Sequence, residues 1–159
     1  MARPKKHYLE KLSEELSLAL GEAVWAFGKI ETLTYKYIKK LSKDDLIDLF
    51  GHQSIGKRID LIKKLINRIN GLDKEKAEAI SSLNKVTQFI SDRNTLAHNP
   101  WLIWIDFELN DFVTEIQNVS NPSQKLNLEG VKKFTVDVQE LTQELRANLN
   151  TIVKASRGF

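Results

Sequence analysis

Cysteine is missing from all 159 residues. That excludes a disulfide framework, a thiolate metal site and a cysteine nucleophile, and makes a reducing cytoplasm the default expectation. No apolar run approaches the roughly 18 residues that a membrane span requires. The basic start Met1-Ala2-Arg3-Pro4-Lys5-Lys6 is not followed by a signal-type apolar core. A soluble protein with no membrane partner follows. Glycine-rich phosphate loops are absent too: Gly51 and Gly56 lack the rest of either nucleotide fingerprint, which disfavours an ATPase or a dehydrogenase. His7, His52 and His98 are far apart, there is no His-Glu-x-x-His, and Asp44-Asp45 reads as helix capping, so neither metal nor cofactor is expected. Repeats and low-complexity segments are also lacking.

Net charge is nearly lacking as well, with 24 basic against 21 acidic residues giving +3, which does not by itself announce a nucleic-acid binder. Its distribution says more. Residues 54 to 70 hold Lys57, Arg58, Lys63, Lys64 and Arg68 against Asp60, a local +4. Residues 101 to 129 hold Asp106, Glu108, Asp111, Glu115 and Glu129 against Lys125, a local −4. An anionic ligand prefers the first region.

At 42% hydrophobic the chain can bury a core as one domain spanning residues 1–159. After a basic tail over residues 1–7, residues 8 to 41 read as one amphipathic helix, with Leu9, Leu12, Leu16, Ala19, Ala23, Phe27, Ile30, Thr34, Tyr37 and Leu41 recurring at helical steps. Trp25 falls close to that stripe. Gly21 and Gly28 share a face and could admit another helix closely. Ser42-Lys43-Asp44-Asp45 offers caps for a short helix ended by Gly51. Ser54 then caps a helix to about Ile69, whose stripe of isoleucines leaves Lys57, Lys64 and Arg68 on the opposite face. Asn70-Gly71 is a turn, and Asp73 opens a long helix through Ala77, Ile80, Leu83, Val86/Thr87 and Ile90. Residues 101–118 alternate with period two about Asn110-Asp111, a β-hairpin in which Leu109, Phe107 and Ile105 face Phe112, Thr114 and Ile116. A last helix runs from about Asn127 to Ala155 on the stripe Phe134, Val138, Leu141, Leu145, Leu149 and Ile152, with Gly158-Phe159 beyond it. The expected fold class is all-α: an up-and-down bundle of four main helices plus a short one, with the hairpin inserted before the last.

The most informative segment ends the long fourth helix: Ser91-Asp92-Arg93-Asn94-Thr95-Leu96-Ala97-His98-Asn99-Pro100-Trp101. Pro100 disfavours helix at Asn99, so His98 belongs at the C-terminus, where exposed carbonyls and the negative end of the dipole favour a protonated ring. Asn94 and His98 are four apart and share a face, while Arg93 reaches the same region through its long side chain. A planar guanidinium suits a phosphate, and an imidazole titrating near neutrality suits proton transfer to and from RNA oxygens. A surface arginine and a histidine that caps a helix end are the plainer account of the same residues.

Arg93-Asn94-x3-His98 at the end of a long helix, in a small cysteine-free helical chain, resembles the HEPN superfamily, whose signature is Arg-x4-6-His with a polar residue, often Asn, after the arginine. The resemblance implies a metal-independent endoribonuclease leaving 2′,3′-cyclic phosphate ends, with Arg93, Asn94 and His98 as catalytic residues. It further implies a homodimer with both motifs lining one cleft, a toxin or phage-defence setting, and an antitoxin or nucleotidyltransferase-like protein as partner. Lys57, Lys64 and Arg68 are the candidate track for RNA, although such a stripe is more often a solvated helix face. Trp101 should bury beside the motif. Two other functions stay open: a catalytically silent HEPN-like dimeric protein that binds a partner protein or nucleotide, and a purely structural helical interaction module.

Overall fold

The computed structural model describes residues 6–42 and 45–156. Residues 1–5 of the basic tail, Lys43 and Asp44 of the capping segment, and Gly158-Phe159 lie outside the described residues. Among these residues, five helices and a small antiparallel sheet follow in the order α1 (Lys6–Leu41), α2 (Leu46–Phe50), α3 (Ile55–Asn67), α4 (Asp73–His98), β1 (Trp101–Asp106), β2 (Asp111–Gln117), β3 (Lys125–Asn127) and α5 (Leu128–Ser156). No described helix is long and apolar enough to cross a membrane.

These residues form two compact units, to both of which α1, α4 and α5 contribute. The first comprises residues up to Ala26 and Ser91–Asp137; the second comprises Phe27–Ile90 and residues from Val138 onward.

In the second unit the apolar stripes close a core in which Phe27, Ile30, Tyr37, Ile59, Ile62, Ile66, Leu83, Leu145 and Leu149 are all at most 1% exposed. Burying each such side chain stabilises by about 1.5–3 kcal/mol. Tyr37 keeps its polar tip satisfied by donating its hydroxyl to Asn150 Oδ1 at 2.6 Å, and burial pushes that phenol above its usual range. The α4 stripe runs differently from the periodicity: Ala77 is exposed, whereas Ala79 and Ser82 are fully buried beside Leu83 and Val86. Ser82 can be inside because α5 faces it with polar groups. Its hydroxyl donates to Glu144 Oε1 at 2.9 Å and accepts from Asn148 Nδ2 at 2.7 Å. Lys85 Nζ, 2.8 Å from Glu144 Oε1, holds that carboxyl below the ordinary carboxylate range against partial desolvation.

The α3 helix starts as expected, with Ser54 Oγ accepting from Lys57 N at 3.5 Å. At α2, Asp45 occupies the cap position without a side-chain hydrogen bond. Gly51 follows α2 with an ordinary right-handed φ of −59°. What requires glycine there is a close approach, since a Cβ would stand 2.8 Å from the Ile47 carbonyl oxygen.

Gly21 and Gly28 admit no neighbour: nothing comes within 4 Å of a Cβ built on either. Each therefore only weakens α1. Gly21→Ala and Gly28→Ala should each raise the unfolding free energy in urea by about 0.5–1 kcal/mol, and a lower midpoint would show that something presses on that face.

In the first unit β1, β2 and β3 form one antiparallel sheet in that order. The hairpin's register differs from the expected one. Ile105 pairs with Phe112, Ile103 with Thr114 and Trp101 with Ile116, and residues 107–110 make the loop. Asp106 decides this: its Oδ1 accepts from the backbone N–H of Glu108 at 2.9 Å and of Leu109 at 3.1 Å, while Asn110 takes the left-handed conformation at φ 50°. The slip is even, so each side chain keeps its expected face. Phe107, Glu108 and Leu109 leave the ladder.

Candidate active site

The position of the site follows from how α4 ends. Asn99 Nδ2 donates to the Thr95 carbonyl at 2.9 Å, meeting an acceptor the ending helix would otherwise leave bare, and Asn99 Oδ1 accepts from the Val119 backbone N–H at 3.1 Å. Pro100 follows, and the chain turns straight into β1. Trp101 anchors that start, half-buried, with its indole N–H 3.1 Å from the Leu16 carbonyl on α1.

One face of the last two turns is committed to the loop after β2. Ser91, Thr95 and Asn99 are spaced by four and share that face. Gln124 Nε2 donates to Ser91 Oγ, and Asn118 Nδ2 to Thr95 Oγ1 at 3.4 Å, which leaves Thr95 fully buried. These bonds hold the helix end at several points. Asn99, Asn118 and Gln124 form a clamp that the sequence did not single out; an asparagine directly before a proline at a helix end was the available signal.

Asn94 and His98 lie around the helix from that clamp, and both are exposed. Arg93 is half-buried, with its guanidinium turned toward the next residue: Nη1 donates to Asn94 Oδ1 at 3.1 Å. The arginine thus reaches Asn94, on the face that carries His98. Arg93 is not held by Asn94 alone. Asn94 accepts through its oxygen and, among the described residues, its amide N–H groups make no hydrogen bond. A guanidinium and an amide offer donors of the kind a phosphate accepts, and an exposed imidazole of the kind that transfers protons lies one turn on.

The basic residues of α3 and its C-cap Arg68 belong to the second unit. Lys57, Lys64 and Arg68 are exposed, as expected of the face opposite the isoleucines, and Lys57 Nζ donates to Gln53 Oε1 at 3.1 Å. Arg58, counted with them by charge, is instead 4% exposed and serves the core. Trp25 departs from its expected place: it is 73% exposed, because it falls about 200° around α1 from Ala23, away from the buried row Ala23, Ala26, Phe27 and Ile30. Among the described residues no three His, Asp or Glu side chains gather as a metal site requires.

No family model, curated protein or solved structure matches the chain. The functional reading therefore rests on the residues at the end of α4.

Proposed function

We propose that the protein is a metal-independent endoribonuclease of HEPN type, acting through Arg93, Asn94 and His98. The observation that carries this reading is the Arg93 to Asn94 hydrogen bond on an exposed face shared with His98, at a helix end clamped from its other side. In the reaction, the RNA 2′-OH loses its proton to an imidazole and its oxygen attacks the adjacent phosphorus. The 5′-oxygen leaves with a proton from an acid, and a 2′,3′-cyclic phosphate remains. Arg93 and the Asn94 amide donate to the phosphate oxygens as negative charge builds on them.

One histidine is few for two proton transfers. The reading therefore includes an up-and-down helical bundle that pairs two-fold through or near α4, so that a second His98 supplies the other proton. A toxin or phage-defence role with a protein antitoxin or nucleotidyltransferase-like partner comes with the same resemblance.

Single-stranded RNA incubated with the purified protein in excess EDTA should yield fragments ending in 2′,3′-cyclic phosphate. RNA left intact at stoichiometric protein would overturn the enzyme and leave a catalytically silent binding protein.

RNA capture is assigned to Lys57, Lys64 and Arg68. For a single strand, removing one cation that neutralises a phosphate should lower the slope of log affinity against log salt by about 0.7. Replacing all three by Gln should weaken binding most at low salt and spare the chemical step on bound RNA. An unchanged slope would make the stripe a solvated helix face.

A further inference from the structure

We infer that β1 is a self-association edge, through which two copies of this chain pair strand to strand and make one six-stranded sheet. β1 is hydrogen-bonded to β2 on one side only, and no other strand among the described residues pairs with it. The residues that would face a visitor are apolar without a break from Trp101 to Ile105. Leu102, Ile103, Trp104 and Ile105 are 39%, 44%, 42% and 40% exposed, and the adjoining loop adds Phe107 at 76% and Leu109 at 72%. Open sheet edges on soluble proteins are normally guarded by a charge, a proline or extreme shortness. The opposite edge of this sheet has such guards: β3 is three residues long and begins with exposed Lys125, which is ion-paired to Glu115 at 3.3 Å. Residues 101–105 have none.

The occupant that fits is a second copy, because the strand is its own complement. An antiparallel pair related by a two-fold axis must match residues whose numbers sum to an even value, since backbone groups point alternately toward and away from the partner. An axis at Ile103 satisfies this. It sets Ile103 opposite itself, Leu102 opposite Trp104 and Trp101 opposite Ile105, so every cross-strand pair is apolar. The acidic neighbours are kept apart, because each Asp106 falls opposite a Pro100 and the two carboxylates lie at opposite ends of the ladder. With a large side chain offering about 150–250 Å², the six exposed residues amount to roughly 500–800 Å² per copy. That matches the patches that mark interaction sites on monomers and, doubled, the low end of specific interfaces.

This pairing differs from the proposed pairing through α4. Along the ladder the two Trp101 residues stand about 13 Å apart, and each α4 precedes its strand on the outer side, so β1 pairing does not bring two His98 rings into one cleft. The two pairings fail separately.

The absence of cysteine makes a clean test. The full-length protein should show concentration-dependent association by light scattering, and Ile103→Lys, which sets two ammonium groups face to face, should lower the mass by the β1 step: to a monomer if β1 pairs alone, to a dimer if α4 pairs as well. A helical circular dichroism spectrum like the wild type's should show that the variant is folded. In parallel, Ile103→Cys should form a covalent dimer on mild oxidation while Ile105→Cys, displaced four residues from its own copy, should not. Cross-linking of Ile103→Cys with a lowered mass in Ile103→Lys supports the pairing. A wild-type monomer at all concentrations, or an assembly whose mass Ile103→Lys leaves unchanged and that fails to cross-link at 103, overturns it; the second result points to another surface such as α4.

Discussion

Arg58→Ala is expected to cost about 3–4 kcal/mol of unfolding free energy, more than any surface substitution on the same helix. Among the described residues the buried guanidinium has no carboxylate partner and is held by neutral groups instead. Nε donates to Thr34 Oγ1 at 3.0 Å, Nη1 to the Tyr35 hydroxyl at 2.6 Å and to the Gln53 carbonyl at 2.9 Å, and the guanidinium carbon stands 4.1 Å from the Tyr35 ring centroid. Hydrogen bonds to charged groups contribute about 1.5–3 kcal/mol each and add less than fully within one network. Truncation would also leave the Gln53 carbonyl without its donor just before the N-terminus of α3, and a void beside the aromatic ring. Arg58→Met, which restores volume but no donors, should recover only part of the loss. Arg68→Ala, on the exposed face, should stay within about 0.5 kcal/mol of wild type. Urea unfolding of the three variants separates these cases, and a deficit below about 1 kcal/mol for Arg58→Ala would mean that the network adds no more than one ordinary hydrogen bond.

Arg93→Lys is expected to lower RNA cleavage by about 10²-fold or more while leaving the fold intact, although charge is conserved. Removing one well-placed donor to developing anionic charge costs about 10²–10³ in rate. Lysine carries its donors on a single nitrogen, so it cannot hold Asn94 Oδ1 with one nitrogen while offering another in a planar fork to phosphate. The loss should appear in the rate on bound RNA rather than in affinity, since a point charge still attracts the strand. A lysine variant that cleaves at the wild-type rate would remove Arg93 from the chemistry.

Much of the fold was legible in the chain because its helices announce themselves locally. Phe134, Val138, Leu141, Leu145, Leu149 and Ile152 are all buried as the α5 period required. Ser54, Asp73 and the Asn99-Pro100 step mark helix boundaries where the structure has them. What escaped depends on partners distant in sequence or on side-chain detail within a turn. The hairpin register turned on one carboxylate, Asp106, catching two backbone N–H groups, and period-two alternation cannot sense an even slip. β3 pairs over only three residues, too few to show a period. Ser82 and Arg58 look like surface residues until Glu144 and Asn148, or Thr34, Tyr35 and Gln53, are brought to them. Within the candidate site, the sequence placed Asn94 and His98 on one face through their spacing of four. It could not show that the Arg93 guanidinium turns onto Asn94, or that Asn99 and Gln124 clamp the helix end.

The most direct test of the central claim is the single-turnover rate of cleavage of one single-stranded RNA in excess EDTA, measured for the wild-type protein and for His98→Ala. The ring is exposed at the end of α4 and, among the described residues, no hydrogen bond holds it. Its removal should therefore lower the unfolding free energy by no more than about 1–2 kcal/mol. With proton transfer lost, the rate on bound RNA should fall by about 10²–10⁴-fold while RNA affinity stays near wild type. Equal rates for the two proteins would contradict the account and remove the end of α4 from the reaction.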